Sequence, residues 1–366
     1  MLRYTLFLSI LSLIIVRPLP AADTTVATTA VAESPIKVAP DDWPWWRGVS
    51  RNGIATAGPA PPIKWSESSH VAWKVSIPGR GHGSPSVLGT RVFIAAADRA
   101  KQTQSVFCFE RKTGKALWTT VVHRGPLEKR GNKKSSQASC TPACDGQKVY
   151  VNFLHKGSVV TSALDLDGGI VWQTTVTGYQ THQGFSSSPC LFGSLVIVSA
   201  DNRGGGAVVA MSRATGKVAW KQSRPKKANY TSPIVFKVSG RDQALMVGTN
   251  LVSSYDPLTG KKLWEISGAT TECVTSVVTD GTRIFTSGGY PRNHVQAVLA
   301  DGSGKTAWQN TQRVYVPSMI AHQGTLYAVL DAGIATAWDT TTGKTLWKKR
   351  LGGTFTSSLV LAAGNL

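Results

Sequence analysis

The chain has 366 residues, 42% of them hydrophobic, with 40 basic residues against 20 acidic ones and a formal net charge of +20. That apolar content suits a large folded core and excludes an intrinsically disordered chain, while the cation excess favours anionic ligands and acidic partner proteins. No stretch of 18 apolar residues occurs, so no membrane-spanning segment is expected in the mature chain, and no nucleic-acid recognition motif accompanies the charge.

Residues 1–22 read as a secretory signal. Met1-Leu2-Arg3 is a positive start, Tyr4–Val16 an apolar run interrupted by Thr5, Ser9 and Ser12, and Pro18–Ala22 a small-residue end. An uncleaved anchor is the alternative; the signal implies a periplasmic or secreted protein. Residues 23–40, rich in Thr, Ala, Val and Pro, read as a flexible leader. From residue 41 to 366 a single domain is expected. Its first feature, Trp43, Trp45 and Trp46, is expected to pack across the domain and help close it, an exposed aromatic platform being the alternative.

The rest is repetitive. A Thr-Gly-Lys turn followed three residues later by Trp occurs at Thr113–Trp118, Thr215–Trp220, Thr259–Trp264 and Thr342–Trp347, with degraded copies ending at Trp172 and Trp308. With Trp73 in front, the tryptophans recur every roughly 40–55 residues, room for four short strands per repeat. Each repeat opens with Ser-Pro or Ser-Ser before an apolar run, then has a Gly turn (Gly89, Gly146, Gly193, Gly240, Gly281, Gly324) and a β-branched or aromatic strand such as Lys148–Val151. The expected fold is all-β: a β-propeller of four-stranded antiparallel blades, six complete. Val71–Val75 looks like a lone outermost strand and Thr356–Leu361 a lone innermost one. These partial blades read as a C-terminally truncated seven- or eight-bladed ring. Trp118, Trp172, Trp220, Trp264, Trp308 and Trp347 are read as structural residues that dock each blade on its neighbour.

Ala337-Trp338-Asp339 followed by Thr342-Gly343-Lys344 and Trp347 gives Ala-x-Asp-x-x-Thr-Gly-Lys-x-x-Trp. This resembles the docking motif of the PQQ-type β-propellers, the fold of quinoprotein dehydrogenases and of a non-catalytic outer-membrane assembly lipoprotein. The copies ending at Trp264 and Trp220 match with one change each, and the resemblance runs from about Asp41 to the end. It implies two kinds of function. The quinoprotein dehydrogenases use two adjacent cysteines, a calcium held by acidic and amide side chains, and an aspartate base. No two of Cys108, Cys140, Cys144, Cys190 and Cys273 are adjacent here, and acids are scarce. Cys140 and Cys144, read as lying on one strand, stand about 13 Å apart and do not bridge; the cysteines are expected to be mostly small core residues. No catalytic residue, cofactor or metal site is therefore expected, and pyrroloquinoline quinone with calcium belongs to the alternative reading.

Other motifs dissolve. Gly302–Thr306 lacks the first glycine of a phosphate-binding loop, Asp165–Gly168 lacks the closing Glu of a calcium loop, and the seven histidines show no metal spacing. The candidate ligand or partner face comes from topology. Loops from an outer Trp strand to the next inner strand should gather on one face, and they carry Arg80, His82, Arg124, Arg130, Lys133, Tyr179, His182, Lys226, Tyr230, Arg313 and Tyr315, with Arg224 and His123 nearby. Basic and aromatic side chains around a channel mouth suit an acidic peptide, an envelope protein or another anionic ligand. A solvated basic rim is the plainer reading. The expected function is an exported, non-catalytic binding or assembly scaffold. A PQQ-dependent oxidoreductase and a basic module for anionic polymers are the alternatives.

Overall fold

The repeat turn organises each blade, and its chemistry is local. At the last copy the Asp339 carboxylate accepts hydrogen bonds from the backbone N–H groups of Thr341 and Thr342 (3.0 and 2.7 Å) and from the Thr342 hydroxyl (2.8 Å). Thr342 Oγ1 in turn accepts from the Lys344 N–H. Gly343, at φ +72°, donates its N–H to the Asp339 carbonyl and reverses the chain. Asp256 and Thr259 repeat the pattern. Where the acid is replaced, Glu110 or Ser212 takes over its bond to the Thr N–H.

The small first residue of the motif has a reason as well. Ala163, Ala210 and Ala337 lie directly across the ladder from Trp172, Trp220 and Trp347. In all six blades the register shifts there, making the residue before each Trp the extra residue of a β-bulge.

The structure is a computed structural model and describes residues 36–366 apart from 57, 59, 130, 131, 133 and 134. The expected signal, most of the leader, and Arg130 and Lys133 lie outside the described residues. Among the described residues, twenty-four strands form six four-stranded antiparallel sheets, each ordered as it runs in the chain. The blades span 86–124, 143–178, 190–224, 234–267, 278–310 and 320–350. The all-β propeller is as the sequence indicates, and no described helix is long and apolar enough to cross a membrane.

Four of the five junctions between successive blades are an indole laid on a glycine. A Cβ placed at Gly168, Gly216, Gly260 or Gly343 would come within 2.5–2.8 Å of ring atoms of Trp118, Trp172, Trp220 or Trp308, on the preceding blade. The same four indoles donate from Nε1 to carbonyls of those turns at 2.7–3.1 Å. Trp73 makes this contact with Gly114 and the Arg111 carbonyl although its segment forms no strand. Trp264 meets a degraded turn and bonds the Gln243 side chain instead (2.7 Å). Trp347 departs from the expected docking. No following turn covers it among the described residues, and it stays 44% exposed.

A second set of contacts runs around the inner strands. The N–H groups of Ser84, Thr141, Ser188, Ser276 and Ser318 each donate to a Ser or Thr hydroxyl of the next blade or segment, the last to Ser358, at 2.9–3.0 Å. That is why each repeat opens on Ser or Thr. Thr356–Leu361 forms no strand; Leu361 instead makes a single parallel bridge to Ile54.

Residues 42–55 cross these inner strands as a plug. Trp43 bridges Val87, Pro44 accepts from the Cys144 N–H, and Trp46 Nε1 donates to Ser276 Oγ (2.7 Å). The buried Arg47 guanidinium donates to the carbonyls of Asn52, Met319 and Leu359. Burial without an acid pushes its pKa down to about 9. Trp43 and Trp45 thus pack across the propeller as expected, with Arg51 stacked on the Trp45 ring (4.8 Å). Ile36 and Val38 also pack on the core, so packing starts ahead of the expected boundary at residue 41. All five cysteines are free and buried, and Cys140 lies before the strand that contains Cys144.

Gly216→Ala tests the junction. The added methyl meets Trp172 at a positive φ, so a loss of about 2 kcal/mol or more is expected. Gly240→Ala, at φ +80° with open space around it, should cost about 1 kcal/mol. Urea unfolding of both variants checks the difference; equal losses would mean that the indole contact contributes nothing.

Candidate functional site

In a four-stranded meander the inner-strand turn and the Thr-Gly-Lys turn share one end, and the blade-to-blade loops share the other. Asp42, at the head of the plug, accepts from the Gly89 N–H, and Asp41 pairs with Arg111 beside the first Thr-Gly-Lys turn (3.1 Å). The plug therefore enters from the turn end, and the loop end is the opposite face.

On the loop face the expected residues divide. Arg80, His82, Arg124, Lys226 and Arg313 are exposed, His182 and Tyr315 partly buried, and Tyr179, Tyr230 and Arg224 buried. Arg80 Nε donates to His82 Nε2 (3.2 Å), and Arg313 stacks on Tyr315 (5.4 Å).

Tyr179 and His182 on the loop into the third blade, Tyr230 on the loop into the fourth and Tyr315 on the loop into the sixth converge on an acid that sequence reasoning missed. His182 Nε2 lies 3.2 Å from Glu272 Oε1, a buried carboxylate on the loop into the fifth blade. The phenols feel it. Tyr315 is pushed up to about 12, by burial first and then by Glu272. Burial and then Glu272 also raise Tyr230; for Tyr179, Asp201 ranks between those two causes. Arg203, likewise missed, reaches His182 Nε2 with its guanidinium at 2.9 Å. Arg203 follows Asp201-Asn202 in what the sequence presents only as a Gly-rich hairpin tip, and Glu272 stands in no pattern. Scarcity of acids in these loops was the one available signal.

Arg224 is not a rim cation. Its Nε and Nη2 donate to Asp201 (3.2 Å each) and its Nη1 to Ser253 Oγ (2.8 Å), with both charged side chains almost wholly buried. Burial opposes the charge, but Asp201 more than offsets it and holds Arg224 protonated. Asn229 joins this pair to the next blade, donating to Asp201 (3.1 Å) and to the Val247 carbonyl (2.8 Å), and accepting from the Cys273 N–H (3.0 Å).

His123 and His155 stack at 4.4 Å on adjacent blades. Burial, then His155 and Lys156, push His123 down to about 4. Among the described residues no three His, Cys, Asp or Glu side chains converge as metal ligands. The buried acids of this face are already engaged, Asp201 by Arg224 and Asn229, and Glu272 by His182.

Breaking the buried pair with Asp201→Ala leaves Arg224 uncompensated and should cost about 3–5 kcal/mol in urea unfolding, where a surface pair would cost under about 1. His123 gives a pH signature. Its folded value lies below that of an unfolded imidazole, so its contribution is complete above about pH 6.5 and is lost as pH falls toward about 4. The urea midpoint should fall across that window, and His123→Gln should flatten the decline. An unchanged slope in the variant would remove His123 as its cause.

With this geometry in place, known proteins give a consistent picture. The family model described as "Outer membrane protein assembly factor BamB" matches residues 39–181 and 102–349. Outer membrane protein assembly factor BamB of Yersinia pestis is 23% identical over 313 residues, covering 83% of this chain and 66% of that protein. The Burkholderia pseudomallei (strain K96243) protein of the same name is 28% identical over 293 residues, 75% of this chain and 68% of its own length. A polyvinylalcohol dehydrogenase of a Pseudomonas species is 27% identical over 209 residues, 51% of this chain but 30% of that enzyme. In fold, BamB from Moraxella catarrhalis superposes with a TM-score of 0.55 at 16% identity, over 78% of this chain and 79% of the other. A europium-containing methanol dehydrogenase superposes with a TM-score of 0.60 at 12% identity, over 88% and 87%. The repeated turn chemistry, the six four-stranded blades and the match over most of its length place this chain in the PQQ-like propeller family described as outer membrane protein assembly factor BamB.

Proposed function

We propose that this protein is an exported, non-catalytic scaffold that binds an acidic or envelope partner protein through its loop-bearing face. One observation carries the reading. The buried acids of that face, Asp201 and Glu272, are engaged inside the fold, while Arg80, Arg124, Arg203, Lys226 and Arg313 stand exposed near buried and partly buried aromatic rings. Arg and Tyr dominate the energetics of protein interfaces because they combine contact area with directional hydrogen bonds. The relatives named as assembly factors support a scaffold in the bacterial envelope, and the reading of residues 1–22 as a signal supports export to the periplasm or beyond.

The oxidoreductase alternative draws on the dehydrogenase relatives. A quinone with calcium needs a convergent set of acidic and amide oxygens. On this face Asp201 accepts from Asn229 and Arg224, and Glu272 is covered by His182. The donor set does not fit the group. A basic module for anionic polymers is the third reading, and it predicts binding that collapses with salt.

A photo-crosslinking residue at Tyr315, on the loop face, should trap a discrete envelope protein in cells. The same residue at Lys344, on the turn face, should not. Equal trapping from both faces would overturn the assignment. So would saturable, salt-resistant binding of pyrroloquinoline quinone plus calcium to the full-length protein in calorimetry.

A further inference from the structure

We infer that His182, Arg203 and Lys226 form a recognition site for a carboxylate of an acidic segment in the partner protein. This rests on the scaffold reading and assigns it a subsite.

The argument starts at one nitrogen. His182 Nε2 faces the Glu272 carboxylate at 3.2 Å and the Arg203 guanidinium at 2.9 Å, and a ring nitrogen cannot serve both. A neutral ring with its lone pair at Nε2 accepts from Arg203 and leaves Glu272 without a donor there. A protonated ring donates to Glu272 and stands as a second cation against Arg203. Either state leaves one contact unmet, and an added carboxylate on Arg203 resolves the protonated one: Glu272 keeps the imidazolium while the incoming carboxylate takes the guanidinium.

The surroundings are built for this. Arg203 is exposed, yet its turn is fixed from below by the buried Asn202. That side chain donates to the carbonyls of Gly178, Ala200 and Gly205 and accepts from the N–H groups of Gln180 and Gly204. Lys226, also exposed, lies beside the same turn, its Cγ 4.0 Å from the position of a Cβ on Gly205. No acid is paired with Arg203 or Lys226 among the ion pairs of the described residues. The groups around His182 are Glu272 from the loop into the fifth blade, Arg203 from the third blade, Gln183 and Tyr179 on its own loop, and Tyr230 from the next loop. Glu272 thus serves as the internal anchor, and the two exposed cations are the open valences.

Binding and protonation are linked. A carboxylate on Arg203 favours the imidazolium, so binding takes up a proton and strengthens as pH falls. The probe is a short oligoglutamate peptide titrated into the full-length protein by calorimetry, at about 0.15 M salt and between about pH 8 and pH 6, in two buffers of different ionisation enthalpy. Affinity should rise several-fold on acidification with net proton uptake. Arg203→Gln should weaken binding about tenfold at both ends of the range. His182→Gln should abolish the proton uptake. Neither substitution touches the sheet ladders, and unchanged urea midpoints confirm folding. Lys226→Gln gives a second test on an exposed side chain and should weaken binding in the same way. Binding without pH dependence, or unchanged in all three variants, overturns the site. Inorganic phosphate competing at equal concentration overturns the carboxylate assignment. If the three variants bind normally while Arg313→Gln does not, the loop face stands and this subsite falls. If the peptide does not bind at all, this site falls, and the crosslinking comparison decides the scaffold reading separately.

Discussion

Everything else in this protein depends on the contact of an indole with a bare backbone. A Trp on the outer strand of one blade covers the glycine of the next blade's turn and bonds a carbonyl of that turn, so a single side chain supplies both burial and register. An aromatic of this size buries on the order of 150–250 Å², and at about 25 cal/mol per Å² even half of that contributes a few kcal/mol at each junction. Any side chain at the glycine would hold the blades apart. The constraint is therefore double, a large residue at one position and none at the other, and it is repeated around the ring. Stability in such an array is a sum of blade terms and junction terms.

The inner belt and the plug settle which surfaces remain free. Ser and Thr hydroxyls tie successive inner strands together, and residues 42–55 reach across them with Arg47 donating to three carbonyls, one of them from the far end of the chain. Burying that guanidinium without an acid is costly, which its lowered pKa records, and only the carbonyl bonds offset the cost. With the turn end occupied in this way, the loop end is where sequence can vary without disturbing turn, bulge or junction.

This division explains what the sequence made legible. The Thr-Gly-Lys-x-x-Trp phrase could be read because its chemistry is local: Asp339, Thr342 and Gly343 make their bonds within a few residues. The glycine turns and the tryptophan plug followed from the same kind of evidence. The candidate site was only half legible. Loop position predicted that Tyr179, His182, Tyr230 and Tyr315 share a face, and they do meet around one point. Glu272 and Arg203 escaped notice because only the packing of blades far apart in sequence brings the loop into the fifth blade beside the loop into the third. Arg224 was misjudged for a related reason. Its neutralising Asp201 lies on the neighbouring strand connection, and a side chain's charge says nothing about its burial. Trp347 matches the motif fully yet stays uncovered, since a docking residue needs a partner turn as well as its own sequence.

Charge makes the same point at the scale of the whole face. A net +20 on 366 residues would by itself produce diffuse attraction for any anion, weakened by salt. The distribution is more selective than the total. Asp201 and Glu272 are withdrawn into the fold, tied to Arg224 and His182, and what remains outside is Arg203 on a turn held by five side-chain hydrogen bonds of Asn202. A cation fixed in this way loses less freedom when it meets a ligand than a lysine on a mobile rim, so the same charge yields more affinity and a preferred geometry. Buried acids thus determine what a basic protein recognises: by engaging some cations internally, they decide which ones are left to the partner.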